Sequence, residues 1–231
     1  MRNHIKKNSL PLRYEKKFVI TSVELKNFLA SLALSSFRFQ KLHTPRFVNS
    51  IYLEHPNYSS LNDSLAGHNE RIKYRIRWYG TLLNDIKGAN LEGKIKINNL
   101  GTKIRHSLPD FEIKDEFDWK LIKENLKKSK TNLSHILNHY RPVMLIRYLR
   151  SYYATSDKNF IVTVDTGLEN YPLQSKKNLS ISKFLHRDMA IVEVKYDHKK
   201  NEKFDMLNKD IISPLSKNSK YVVAMNMYYN E

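Results

Sequence analysis

The stretch Glu70–Gly80, ERIKYRIRWYG, carries the pattern that decides how the chain folds. Side chains on a β-strand alternate between two faces. Arg71, Lys73, Arg75 and Arg77 therefore project to one side, and Ile72, Tyr74, Ile76 and Trp78 to the other. One face is cationic and the opposite face is apolar or aromatic. Like charges two residues apart repel, so such a row persists only where water, carboxylates or a multivalent anion neutralises it. For a single strand the plain reading is the solvent side of an antiparallel sheet. Recurrence of the pattern along the chain changes that reading.

Residues 13–20 alternate as a strand, with Arg13, Glu15 and Lys17 opposing Tyr14 and Phe18. In 91–97, Glu92, Lys94 and Lys96 share a face against Ile95 and Ile97, and in 102–108 Lys103 and Arg105 lie on one side. Residues 143–154 and 160–166 read as a hairpin, and 47–54 as a further strand. In 190–196, Ile191, Glu193 and Lys195 oppose Val192, Val194 and Tyr196, which places Glu193 among cations. The total is about eight strands.

Helical spacing appears between the strands. Thr21 and Glu24 form a capping box ahead of Leu25, Phe28, Leu29 and Leu32. Trp119, Ile122 and Leu126 form a second stripe. Leu133, Ile136, Leu137 and Tyr140 form a third, stopped by Pro142. Phe204, Leu207 and Ile211 mark a late helix ended by Pro214. The polar segment 55–69 reads as a loop with one helical turn, and 219–229 has mixed strand and helix character. The class is α+β. An eight-stranded antiparallel barrel with a charged interior and helices packed outside satisfies the alternation. An open sheet with its basic face in water satisfies it equally.

The 231 residues hold 40 Lys and Arg against 23 Asp and Glu, a net charge of +17 that implies an anionic partner. With no Cys, there are neither disulfides nor thiolate metal sites, so any metal must sit on carboxylates or imidazoles. The basic N-terminus lacks the apolar run of a signal peptide, and no stretch approaches the roughly 20 apolar residues of a membrane span. A cytoplasmic location is expected. No phosphate-binding G-x-x-x-x-G-K-[ST] loop and no G-x-S-x-G elbow is present. The nine His form no ligand triad and read as surface or loop residues. The 14 Tyr and 10 Phe could stack nucleobases, but on the basic strand they alternate away from the cations, which argues against a nucleic-acid surface.

Seven segments in order resemble a known family. They are YEKK (Tyr14–Lys17), KYRIRWYG (Lys73–Gly80), EGK (Glu92–Lys94), RYLRSYY (Arg147–Tyr153), VTVDTGL (Val162–Leu168), VEVKY (Val192–Tyr196) and SKY (Ser219–Tyr221). Together they look like the VTC domain, the catalytic part of polyphosphate polymerase, within the triphosphate tunnel metalloenzymes and CYTH-like proteins. The resemblance runs from about Leu12 onward and implies one domain over residues 1–231, with 1–11 as a flexible N-terminal segment.

The resemblance implies an eight-stranded tunnel barrel in which the terminal phosphate of ATP passes onto a polyphosphate chain, with ATP and inorganic polyphosphate or triphosphate as partners. It implies catalytic roles for Arg75, Arg77, Lys94 and Lys220, and phosphate binding by Lys17, Lys73, Lys103 and Arg150. Mn²⁺ or Mg²⁺ is expected on Glu193, with Glu15, Glu92 and Asp165 as helpers. Where the family has an arginine just before the T-x-D of the VTVD strand, this chain has Ile161. Two alternatives stay open: a triphosphate or polyphosphate hydrolase, which shares the tunnel but uses water as the nucleophile, and a non-catalytic polyphosphate-binding domain, which the missing cation favours.

Overall fold

The computed structural model describes residues 13–98, 100–127, 134–173, 179, 184–186, 188–200, 204 and 219–229. The elements run β1 (Arg13–Ile20), α1 (Ser22–Leu34), β2 (Gln40–Glu54), α2 (Ser59–Leu65), β3 (Glu70–Tyr79), β4 (Asn84–Ile86), β5 (Asn90–Ile97) and β6 (Leu100–Ser107). They continue with β7 (Phe111–Ile113), α3 (Trp119–Lys127), α4 (Ser134–His139), β8 (Arg141–Ala154), β9 (Phe160–Pro172), β10 (Phe184–His186), β11 (Ala190–Asp197) and α5 (Lys220–Tyr229).

Eight of the strands close a ring in the order β1, β6, β5, β3, β2, β8, β9, β11 and back to β1, with every pairing antiparallel. Closure depends on β8, which pairs with β2 on one side and β9 on the other. An open sheet is thereby excluded. The alternation along each strand becomes a division between the inside and the outside of a barrel.

All eight ring strands begin or lie where sequence alternation expects them, and several run longer. β2 starts at Gln40 rather than at residue 47, and β9 continues to Pro172. The segment read as a loop with one turn carries the seven-residue helix α2, and the mixed segment 219–229 is helical. The short strands β4, β7 and β10 have too few residues to show a period. The expected N-terminal segment 1–11, and the expected late helix apart from Phe204, lie outside the described residues.

Outside the barrel, α1 begins at the expected capping box. Thr21 Oγ1 accepts from the Glu24 N–H, and a Glu24 carboxylate oxygen accepts from the Thr21 N–H at 2.7 Å. Its stripe of Leu25, Phe28, Leu29 and Leu32 covers Phe18, Ile20, Val162 and Val192. On the other flank, Trp119, Ile122 and Leu126 of α3 and Ile136 and Leu137 of α4 join Ile76, Trp78 and Leu91. Each fully buried aliphatic or aromatic side chain contributes about 1.5–3 kcal/mol by leaving water. Helix α5 packs differently. Its Tyr221, Ala224 and Met225 rest on Val48, Tyr52, Ile146 and Ile191, which share the inward face of their strands, so α5 occupies one end of the barrel.

The glycine of the EGK motif has a packing reason. A Cβ at Gly93 would lie 2.8 Å from Ile104 Cγ1 and 3.1 Å from Tyr74 Cε1, where β5 is flanked by β3 and β6. Neither neighbour atom is the end of a long flexible chain. Gly93→Ala is expected to lower stability by about 1–3 kcal/mol, the usual cost of overpacking, and chemical denaturation of both proteins measures it.

Candidate functional site

Register decides which charged groups meet inside the barrel. Lys73 of β3 faces Lys94 of β5, which faces Lys103 of β6; one step along, Arg75, Glu92 and Arg105 form a parallel row. Across the ring, Lys17 of β1 faces Glu193 of β11, which faces Thr163 of β9, while Arg150 of β8 faces Asp165 of β9. Lys220 enters from the first residue of α5. Every residue expected to contact phosphate or metal therefore stands on this one inner surface or at its α5 end.

Two carboxylate hubs organise the cations. Glu92, only 1% exposed, accepts from Arg75 Nε at 3.0 Å and Nη2 at 2.7 Å, from Lys103 Nζ at 3.3 Å and from Arg105 Nε at 3.2 Å. Arg77 Nη1 stands 3.8 Å away. Burial opposes ionisation of Glu92, but Arg75, Arg77 and Lys103 outweigh it and hold the carboxyl well below the usual carboxylate range.

The second hub joins Glu193 to Asp165. Glu193 meets Lys195 at 2.8 Å, Lys17 and Lys220 at 3.4 Å, and Arg150 at 3.8 Å. Asp165 accepts from Arg150 Nε at 2.5 Å on Oδ1 and Nη2 at 2.6 Å on Oδ2, and Lys220 Nζ lies 2.6 Å from the same Oδ2. Again burial opposes the charge, and the surrounding cations hold both carboxyls low. Burial pulls the Lys220 amine down, but Asp165 and Glu193 more than compensate and keep it raised. Glu15 is bonded to Lys94 Nζ at 2.6 Å; despite its burial its carboxyl is lowered to about 2, mainly by that lysine.

Several inward residues escape a reading that looks for charge rows. Tyr148 accepts from Arg77 Nη2 at 3.0 Å and places its ring 5.0 Å from Lys220 Nζ, and Ser50 accepts from Arg77 Nε at 3.0 Å. Tyr52 is buried beside Arg75 and stacks on Tyr221. No signal separates these tyrosines from wall packing in the sequence. Lys195 and Arg105 were legible, each two residues from an expected site residue on the same face. Ile161 lies opposite Lys195, whose Nζ turns to Glu193 and Thr163. His135 and His139 are surface residues as expected, one turn apart on α4 with ring centres 4.5 Å apart.

Among the described residues no three His, Asp or Glu side chains converge as a metal cage. The donor set still suits a hard cation in another way. Mg²⁺-like ions are commonly held by one or two carboxylates and completed by substrate phosphates and water. Glu193 can serve as that anchor, with Glu15 and Asp165 diagonal to it on the neighbouring strands.

The same antiparallel fold is found among solved structures. A Hippeastrum protein described as a putative adenylyl cyclase with a dominant triphosphatase activity superposes with a TM-score of 0.53 at 11% identity, covering 94% of this chain and 96% of that one. A putative adenylate cyclase from Vibrio parahaemolyticus gives a TM-score of 0.50 at 9% identity, covering 91% of this chain and 98% of that one. At these identities the likeness shows the fold. The family model of the VTC domain matches residues 12–229, and the chain belongs to that family. No curated protein matches it directly.

Removing one partner of a buried ion pair leaves the others uncompensated, at a typical cost of about 3–5 kcal/mol. Asp165→Asn leaves Arg150 and Lys220 sharing Glu193. Its melting temperature is expected to fall well below the parent's and to recover partly when sulfate or tripolyphosphate is added. Thermal scans with and without the anion check both parts.

Proposed function

We propose that this chain is a metal-assisted phosphotransferase that moves the terminal phosphate of ATP onto inorganic polyphosphate or triphosphate inside the barrel. The observation that carries the reading is the convergence of Lys17, Arg75, Arg77, Lys94, Lys103, Arg150 and Lys220 on the inside of the barrel from several strands and α5. A surface of that charge fits a linear phosphate chain, and membership of the VTC family supports the same substrate class. Among the described residues no helix is long and apolar enough to cross a membrane.

Phosphoryl transfer asks little covalent chemistry of a protein; it asks for alignment and neutralisation of shifting charge. A terminal oxygen of the acceptor chain attacks the γ-phosphorus of ATP, the bond from that phosphorus to the β,γ-bridging oxygen breaks, and ADP leaves. Arg75 and Arg77 supply forked N–H contacts to phosphate oxygens, while Lys17, Lys94 and Lys103 act as point charges. Arg150 and Lys220 gather on the Asp165 side, where Tyr148 backs them. Glu92 holds its four cations in place. When bound on Glu193, Mn²⁺ or Mg²⁺ would neutralise phosphate charge.

A second reading, a hydrolase that releases orthophosphate from a short triphosphate, is favoured by α5, which occupies one end of the barrel. A gel that resolves polyphosphate lengths after incubation with ATP and Mn²⁺ separates the two. Polymer supports the phosphotransferase; orthophosphate alone supports the hydrolase; no turnover with any divalent metal leaves a binding domain.

The division of labour is testable on two variants. Arg75→Ala combined with Arg77→Ala removes two charge-assisted contacts of about 1.5–3 kcal/mol each. That protein is expected to lose both phosphate affinity and turnover. Glu193→Gln keeps the cationic walls and is expected to lose turnover while still binding tripolyphosphate. Calorimetry with tripolyphosphate, beside activity with Mn²⁺, reads both; full activity in Glu193→Gln would show the metal anchored elsewhere.

A further inference from the structure

Lys73, Lys94 and Lys103 are direct cross-strand partners, so three ammonium groups share one row of the inner wall. Two of them have a carboxylate: Glu15 lies 2.6 Å from Lys94, and Glu92 3.3 Å from Lys103. Lys73 forms no ion pair among the described residues. Its Nζ donates instead to Ser219 Oγ at 3.1 Å and lies 5.5 Å from the ring centre of Tyr221, at the start of α5.

The charged groups that act most on Lys73 stand on four strands. Lys17 of β1, Arg71 of its own strand and Lys94 of β5 repel a charge there. Glu54 of β2 is the carboxylate that offsets them. Glu54 is itself buried, accepting from Tyr221 Oη at 2.9 Å and from the Ser60 N–H at 3.3 Å, and its carboxyl is pushed up by that burial. Burial first, and then the three cations, draw the Lys73 amine down from 10.5 to about 7. At neutral pH the amine is divided between its charged and neutral forms.

On the phosphate reading above, we propose that Lys73 is a proton-linked phosphate contact that takes up a proton as a phosphate chain enters and then holds that chain at the α5 end of the barrel. The proton comes from the buffer and forms an N–H bond on Nζ; no bond to phosphorus is made or broken. An anion beside Nζ favours the ammonium form, so the bound amine titrates higher than the free one. The added affinity is fully present below pH 7 and is lost as pH rises from about 7 toward the bound value.

The test is titration calorimetry of the parent and of Lys73→Arg with sodium tripolyphosphate, without metal, in buffers of different ionisation heat. A guanidinium stays charged throughout, and the titration of tripolyphosphate itself cancels between the two proteins. At pH 7.5 the parent is expected to take up roughly 0.7 proton more than Lys73→Arg, and the ratio of parent to variant affinity to fall about tenfold between pH 7 and 8.5. Equal proton counts and parallel pH profiles, with binding intact, would overturn this inference and leave the tunnel reading standing. Failure of the parent to bind tripolyphosphate at any pH would overturn both. Should Lys73→Arg not fold, the ¹³Cε NMR signal of Lys73 in the parent decides: a midpoint near 7 when free that rises on binding supports the proposal, and a free midpoint above 9 contradicts it.

Discussion

Repulsion among cations turned inward is the constraint on which the rest of the molecule depends. In a closed barrel, alternate residues of eight strands converge on a narrow space where water screens poorly, and charges that would be harmless on an open sheet act strongly on one another. The chain meets this with a few buried carboxylates, each serving several cations. Glu92 holds Arg75, Lys103 and Arg105 with Arg77 close by, and Glu193 with Asp165 holds Lys17, Arg150, Lys195 and Lys220. Such hubs are poor sources of stability, because desolvating the ions offsets much of their attraction. They fix positions and leave the wall with an excess of positive charge.

That excess links the fold to the chemistry. The two hubs stand on β5 and on β9 with β11, with β6 and β1 between β5 and β11 in the ring, so an anion between them is met from separate walls by groups already aligned. Helix α5 adds Lys220 to the second hub and Tyr221 to the stack with Tyr52. The same helix that fills one end of the barrel therefore also supplies a charge to the site. On the proposed reading, a phosphate chain would exchange some cation–carboxylate contacts for cation–phosphate contacts made by groups already turned inward.

Much of this was legible in the sequence because strand alternation is a strict geometric rule. ERIKYRIRWYG could bury only one of its faces in apolar packing, and Trp78 and Ile76 do so while Arg77 turns inward. Barrel closure was not legible, since an open sheet shows the same period; it rests on β8 pairing with both β2 and β9. Nor were the inward roles of Tyr52 and Tyr148, because a tyrosine facing a charged tunnel and one packed in a wall look alike in sequence. Residues 219–229 were ambiguous because their apolar groups pack against the inside of a barrel end rather than on a flat sheet, which blurs the amphipathic signature.

The central claim is that the inward cations form a site for a phosphate chain, with Glu193 beside it as the metal anchor. Diffraction from crystals grown with tripolyphosphate and Mn²⁺, recorded at the manganese absorption edge, tests this most directly. The account predicts phosphate density inside the barrel touching Arg75, Arg77, Arg150 and Lys220, with an anomalous peak within coordination distance of Glu193. Phosphate found only on the outer surface, with both carboxylate hubs undisturbed, would contradict it.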